Sequence, residues 1–325
     1  MVSLSRAWGR WFDAKLALER LDLPSLLESV REVQAMVGDD ADEIRLLVLF
    51  AALRIKLFVA TEMNSCRLPP EEVLDELDEA VRAQAENGAR LLPVEFEHWV
   101  LGQRALLRND YRLAYVALMP IFMIETVRER AARLVGRPWT WVEQQWAKFL
   151  VDSAADLVRV LREVRPPQGT VAASRVQIAQ LRIIEIVRDL AAHEEMSRWS
   201  ARRLYMWLGF EAADRGERSR ALEMLSCADA SLSQPYARNT LLATLDGDFI
   251  KALLEVLQDD GDLERAAALF QTGLERLTAL GFERRRRERW TLERVLRNAG
   301  SSRTRRVEPR EPRGPADQGT FGESV

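Results

Sequence analysis

The sequence predicts an all-α fold of stacked antiparallel helix pairs, followed by a disordered C-terminal tail. Three observations carry this. Apolar residues recur at helical spacing, as in Leu26, Leu27, Val30, Val33 and Val37, and strict alternation over more than four residues is hard to find. Helix-breaking signals return at short intervals along the chain. From Asn298 onward apolar content nearly vanishes while arginine and proline continue, so that stretch cannot bury enough surface to order itself.

The elements follow in order. Residues 4–37 and 41–86 read as two helix pairs. Leu23-Pro24 opens a helix with proline in its first turn, and Gly38-Asp39-Asp40 ends it and caps the next. Leu68-Pro69-Pro70-Glu71-Glu72 opens another, with acids at the positive helix end, and Asn87-Gly88 closes it. Gly136-Arg137-Pro138 precedes a long helix, 138–164, and a second long one is expected over 170–196. Arg165-Pro166-Pro167-Gln168-Gly169 is the clearest linker, so residues 1–165 and 170–297 form two expected lobes and 298–325 a tail. The apolar runs Leu46–Leu53 and Val116–Ile124 read as buried helices, since a bilayer span needs about 20 residues. No signal peptide is visible and no membrane partner is expected.

Composition narrows the classes. Of 325 residues, 47% are hydrophobic and 30% charged, enough for a buried core and a charged surface. Cys66 and Cys227 stand far apart and His98 and His193 are the only histidines, so a disulfide framework and a typical zinc site are both excluded. A reducing cytoplasm is the simplest compartment. Four lysines stand against 43 arginines. A GC-rich coding sequence explains that bias broadly; selection for bidentate anion recognition would show as local clustering.

Three segments share one template. Leu101-Gly102, Leu208-Gly209 and Leu253-Leu254 are each followed by a turn about seven residues on, at Asn109-Asp110, Gly216 and Gly261-Asp262. An alanine follows twelve residues after the second position: Ala114, Ala221 and Ala266. A larger apolar residue comes four later (Leu118, Leu225, Phe270) and an inward position three after that (Ile121, Ala228, Gly273). The small residue in the first helix lets the second approach closely. This pattern resembles the tetratricopeptide repeat, a 34-residue helix-turn-helix. The resemblance implies an α-solenoid, here irregular, because Ala221 and Ala266 stand 45 residues apart. It covers about a third of the chain.

A search for chemistry finds no Walker A, GxGxxG, GxSxG or HExxH pattern. His193-Glu194-Glu195 reads as a helix-surface run, and Asp259-Asp260-Gly261-Asp262 as a capping turn. No cofactor, metal or catalytic group is assigned, and the chain is expected not to be an enzyme. Trp139 and Trp141 open the long helix; they either fill gaps between helix pairs or, if exposed, mark a partner surface. Residues 284–325 hold twelve arginines and six acids, which leaves the remainder at net -9.

Two functions follow. The resemblance implies a non-catalytic scaffold or adaptor that binds a protein or peptide on a concave helical surface. Arg104, Arg108 and Arg202, with Trp139 and Trp141, are its candidate contacts. The alternative is a nucleic-acid-associated helical protein, using Arg284, Arg285, Arg286, Arg287 and Arg289 of the final helix and the tail to contact phosphates.

Overall fold

A computed structural model of the chain describes residues 2–20, 22–37, 43–62, 68–86, 94–164, 170–230, 247–258 and 261–280. Among them are thirteen helices and no strand: α1 (Val2–Glu19), α2 (Leu23–Val37), α3 (Glu43–Glu62), α4 (Pro70–Glu86), α5 (Val94–Leu107), α6 (Tyr111–Met123), α7 (Glu125–Leu134), α8 (Trp141–Glu163), α9 (Val171–Ala191), α10 (Arg198–Asp214), α11 (Arg218–Ala230), α12 (Gly247–Leu257) and α13 (Leu263–Ala279). The expected linker at 165–169, the tail at 298–325 and the arginines at 284–289 lie outside the described residues. A single hydrophobic core runs from Ala7 to Leu277.

Local chemistry sets the helix ends. Asp22 accepts from the Ser25 hydroxyl and amide at the start of α2. Thr140 and Glu143 form a capping box that fixes the start of α8 at Trp141, three residues later than the sequence implied. Thr170 caps α9 and Asp262 caps α13, each accepting backbone N–H bonds that the first turn leaves unpaired. The second long helix stops at Ala191, so His193-Glu194-Glu195 lies in a turn rather than on a helix surface. The Val116–Ile124 run also departs from its reading. Leu118, Ile121 and Phe122 are buried, but Val116 and Met123 are exposed and Ile124 is an extended residue between α6 and α7. A 13-residue helix at the periphery buries only one face.

The three template segments fold as the helix pairs α5–α6, α10–α11 and α12–α13. In the first two the turn is the same to the hydrogen bond. Asp110 N–H donates to Ala105 O, as Glu217 N–H does to Ala212 O; Asn109 N–H donates to Leu106 O, as Gly216 N–H does to Ala213 O. This is the Schellman arrangement, which requires a left-handed residue. Asn109 (φ 59°) fills in one copy the place of Gly216 (φ 77°) in the other. The close approach holds too. A Cβ on Gly209 would stand 2.6 Å from Leu225 Cγ, and one on Gly102 would overlap Leu118. In the third copy the small residue sits on the second helix, where Gly273 faces the Phe249 ring.

Most helices pack on the next one or two along the chain: α1 on α2 and α3, α3 on α4, α5 on α6, α8 on α9 and α10, α11 on α12. Helix α8 has further neighbours, touching α3 and α6 as well. Sixteen of its 23 residues are buried, so it is covered on nearly every side.

Candidate functional site

A helix enclosed in this way should be apolar all round, and α8 is not. Lys148, Asp152 and Asp156 repeat every four residues, which stacks them as one stripe down the helix. Burying charge without partners is costly, and α3, α5 and α10 supply partners. Arg54 of α3 pairs with Asp152 Oδ2. Gln103 of α5 donates to Asp156 Oδ2 at 2.8 Å, and Arg203 of α10 pairs with Asp156 Oδ1 at 2.5 Å. Six residues further on, Arg162 and Asp214 form a fully buried ion pair at 2.6 Å between α8 and α10. The Arg162 guanidinium also lies 5.7–5.8 Å from the Trp207 and Phe210 ring centres.

The upper end of the stripe is less complete. Asp152 Oδ1 is buried, and among the described residues nothing donates to it. No acceptor stands within hydrogen-bond reach of Lys148 Nζ among the described residues either. Burial pushes the Lys148 ammonium down to about 8; Lys15 adds to the fall and Asp152 opposes it. Aromatic rings wall this end. Trp8 and Trp11 of α1 pack on Trp141, with ring centres 4.6 and 6.0 Å away. Arg54 lies 5.4 Å over Trp99 and 5.7 Å over Phe149. Lys15 stands 5.8 Å from the Trp11 ring.

The residues singled out in the sequence are scattered. Arg104 bridges Asp75 and Asp78 of α4 at 2.7 and 2.6 Å. Arg108 is exposed at the end of α5. Arg202 is buried, its guanidinium 4.8 Å over Trp199, so it faces packing rather than solvent. Trp139 is interior: its indole N–H donates to Leu134 O at 2.8 Å, and its ring stacks on His193 at 4.0 Å. Its backbone N–H donates to Glu195, which ties the α9–α10 turn to the entry of α8. Trp141 is part-buried against α1. Arg284, Arg285, Arg286, Arg287 and Arg289 lie outside the described residues. The α8 stripe was not picked out in the sequence. Its signal was there: three charges at four-residue spacing inside the longest helix among the described residues.

Among the described residues, no group of three or more His, Cys, Asp or Glu side chains is placed to hold a metal ion, and no helix is long and apolar enough to cross a membrane. No protein-family model matches the chain, and no curated protein or solved structure compared with it does either.

Proposed function

We propose that the chain is a non-catalytic interaction scaffold, an irregular TPR-like α-solenoid that binds a protein or peptide on the inner face where α3, α5 and α10 meet the polar stripe of α8. The observation that carries this reading is the stripe itself. A central helix keeps charged groups along the one line on which three other helices converge. The repeated helix-turn-helix unit, with the same turn bonds and Gly–Leu contact in two copies, supports the array. Lys15 and Arg203, at the rim of the stripe, keep solvent access and are the groups an extended partner can reach.

The test is to pan a random peptide library on the full chain and titrate the enriched peptides against Arg203→Gln and Lys15→Glu. Both positions retain solvent access. A loss of binding of about tenfold in either variant, worth roughly 1.4 kcal/mol, is the expected result. Enriched peptides that bind both variants as tightly as the parent would overturn the inner-face reading. Nuclease-sensitive material that co-purifies with the chain and leaves at moderate salt would favour the nucleic-acid alternative instead.

A further inference from the structure

Around the upper end of the α8 stripe, charge does not balance. Lys15 from α1 and Arg54 from α3 both stand within electrostatic reach of Lys148 on α8, and Asp152 is the one acid among the described residues that acts on it. The excess is two positive charges. Asp152 holds Arg54 through Oδ2, and its Oδ1 has no donor among the described residues. Two tryptophan rings stand against the same cations, Trp11 beside Lys15 and Trp99 beneath Arg54, and each carries an indole N–H. Both N–H groups are buried and neither has an acceptor among the described residues. Buried donors left without partners are costly, and cations crowded in low dielectric repel one another strongly. Both costs fall if an anion enters.

The size of the excess discriminates between anions. A carboxylate brings one negative charge and would leave the cluster still positive. A phosphate monoester carries about -1.5 to -2 and three acceptor oxygens, which match the excess and the three unpaired donors. We propose that Lys15, Arg54 and Lys148, with Trp11 and Trp99, form a binding site for a phosphate monoester. This deepens the scaffold reading and rests on the inner face being the binding surface; the partner would present a phosphoryl group there. Asp152 serves as the positioning residue that holds the Arg54 fork over Trp99.

The experiment follows tryptophan emission and the thermal midpoint of the full chain with inorganic phosphate, O-phosphoserine, acetate and chloride at matched ionic strength. Phosphate or phosphoserine should raise the midpoint and change emission where acetate and chloride do not. Phosphoserine stronger than inorganic phosphate by tenfold or more would identify a phosphorylated chain as the source; equal strength would identify free phosphate. Lys148→Met and Lys15→Gln should each weaken binding about tenfold. Lys15 is exposed, so its variant carries the test even if Lys148→Met fails to fold. With Lys15, Arg54 and Asp152 facing it, and Arg203 of α10 engaged by Asp156, Lys148 loses its proton near pH 8. Affinity should therefore fall about tenfold from pH 7 to 9. Acetate as effective as phosphate, no anion effect beyond chloride, or full binding in both variants would overturn the proposal. Peptides that still bind the inner face while phosphate has no effect would remove this site and leave the scaffold standing. Phosphate binding without any enriched peptide would do the reverse.

Discussion

Gly209→Ala tests the close approach of α10 and α11. The new Cβ would stand 2.6 Å from Leu225 Cγ, 2.8 Å from Cδ2 and 3.4 Å from the Leu225 backbone nitrogen. Ordinary contact begins near 3.5 Å, so Leu225 must retreat by roughly 1 Å at its branch point, and it is fully buried. Forcing a methyl into a filled site costs about 1–3 kcal/mol. Against that, alanine gains about 1 kcal/mol over glycine within a helix. The single substitution should therefore destabilise by roughly 0–2 kcal/mol. A double-mutant cycle is sharper. In a Leu225→Ala background the collision is absent, and Gly209→Ala should show its helix gain of about 1 kcal/mol undiminished. The coupling between the two sites is then about 1–3 kcal/mol. Urea unfolding followed by circular dichroism on the four proteins measures it. If Gly209→Ala stabilised the parent as much as it stabilises Leu225→Ala, the helices would not be in the contact described.

Four further outcomes are expected. Asp214→Ala leaves Arg162 buried without its carboxylate and should cost about 3–5 kcal/mol in urea unfolding, while the paired Arg162→Met, Asp214→Leu protein recovers most of it. Asn109→Val places a β-branched residue at φ 59° and should cost about 1–2 kcal/mol, whereas Asn109→Gly should stay within about 0.5 kcal/mol of the parent. Glu143 is drawn down to about 2, mainly by Arg137 and then by the Thr140 N–H, from an ordinary 4.5. A carboxyl lowered on folding stabilises above its unfolded value and loses that as pH falls, so melting from pH 5 to 2 should show a shallower decline in Glu143→Gln. Lys148 gives a slope of the same sign at higher pH, for a different reason. Its charged form is disfavoured on folding, so stability rises as pH climbs from about 8 to 10.5. Lys148→Met should remove that rise and melt higher at neutral pH.

Helix periodicity and the repeated Gly–Ala spacing are legible in the sequence because each is a local property. Gly102, Gly209, Ala114 and Ala221 take the places their spacing assigned to them. Boundaries were read less well. Thr140 rather than the Gly136-Arg137-Pro138 break sets the start of α8, and His193 closes a turn against Trp139 instead of extending α9. The site was least legible. Periodicity tells which face of a helix is polar but not which element comes to meet it. Arg104 therefore reads as a candidate partner contact, whereas Asp75 and Asp78 of the preceding helix hold it. Arg54, 98 residues from Asp152, gave no local hint of their pairing.

The enclosure of α8 has a consequence for how the molecule comes apart. In a linear array each unit leans only on its neighbours, so the ends can fray while the middle stays intact. Here α3 from one end of the chain and α10 from the other both cover the same central helix, and their charges meet its acids. Removing either end would expose a flank of α8 and strand a buried carboxylate. The described helices from α3 to α10 should therefore be lost together in one transition, and trimming the chain repeat by repeat should not yield a ladder of shorter folded forms.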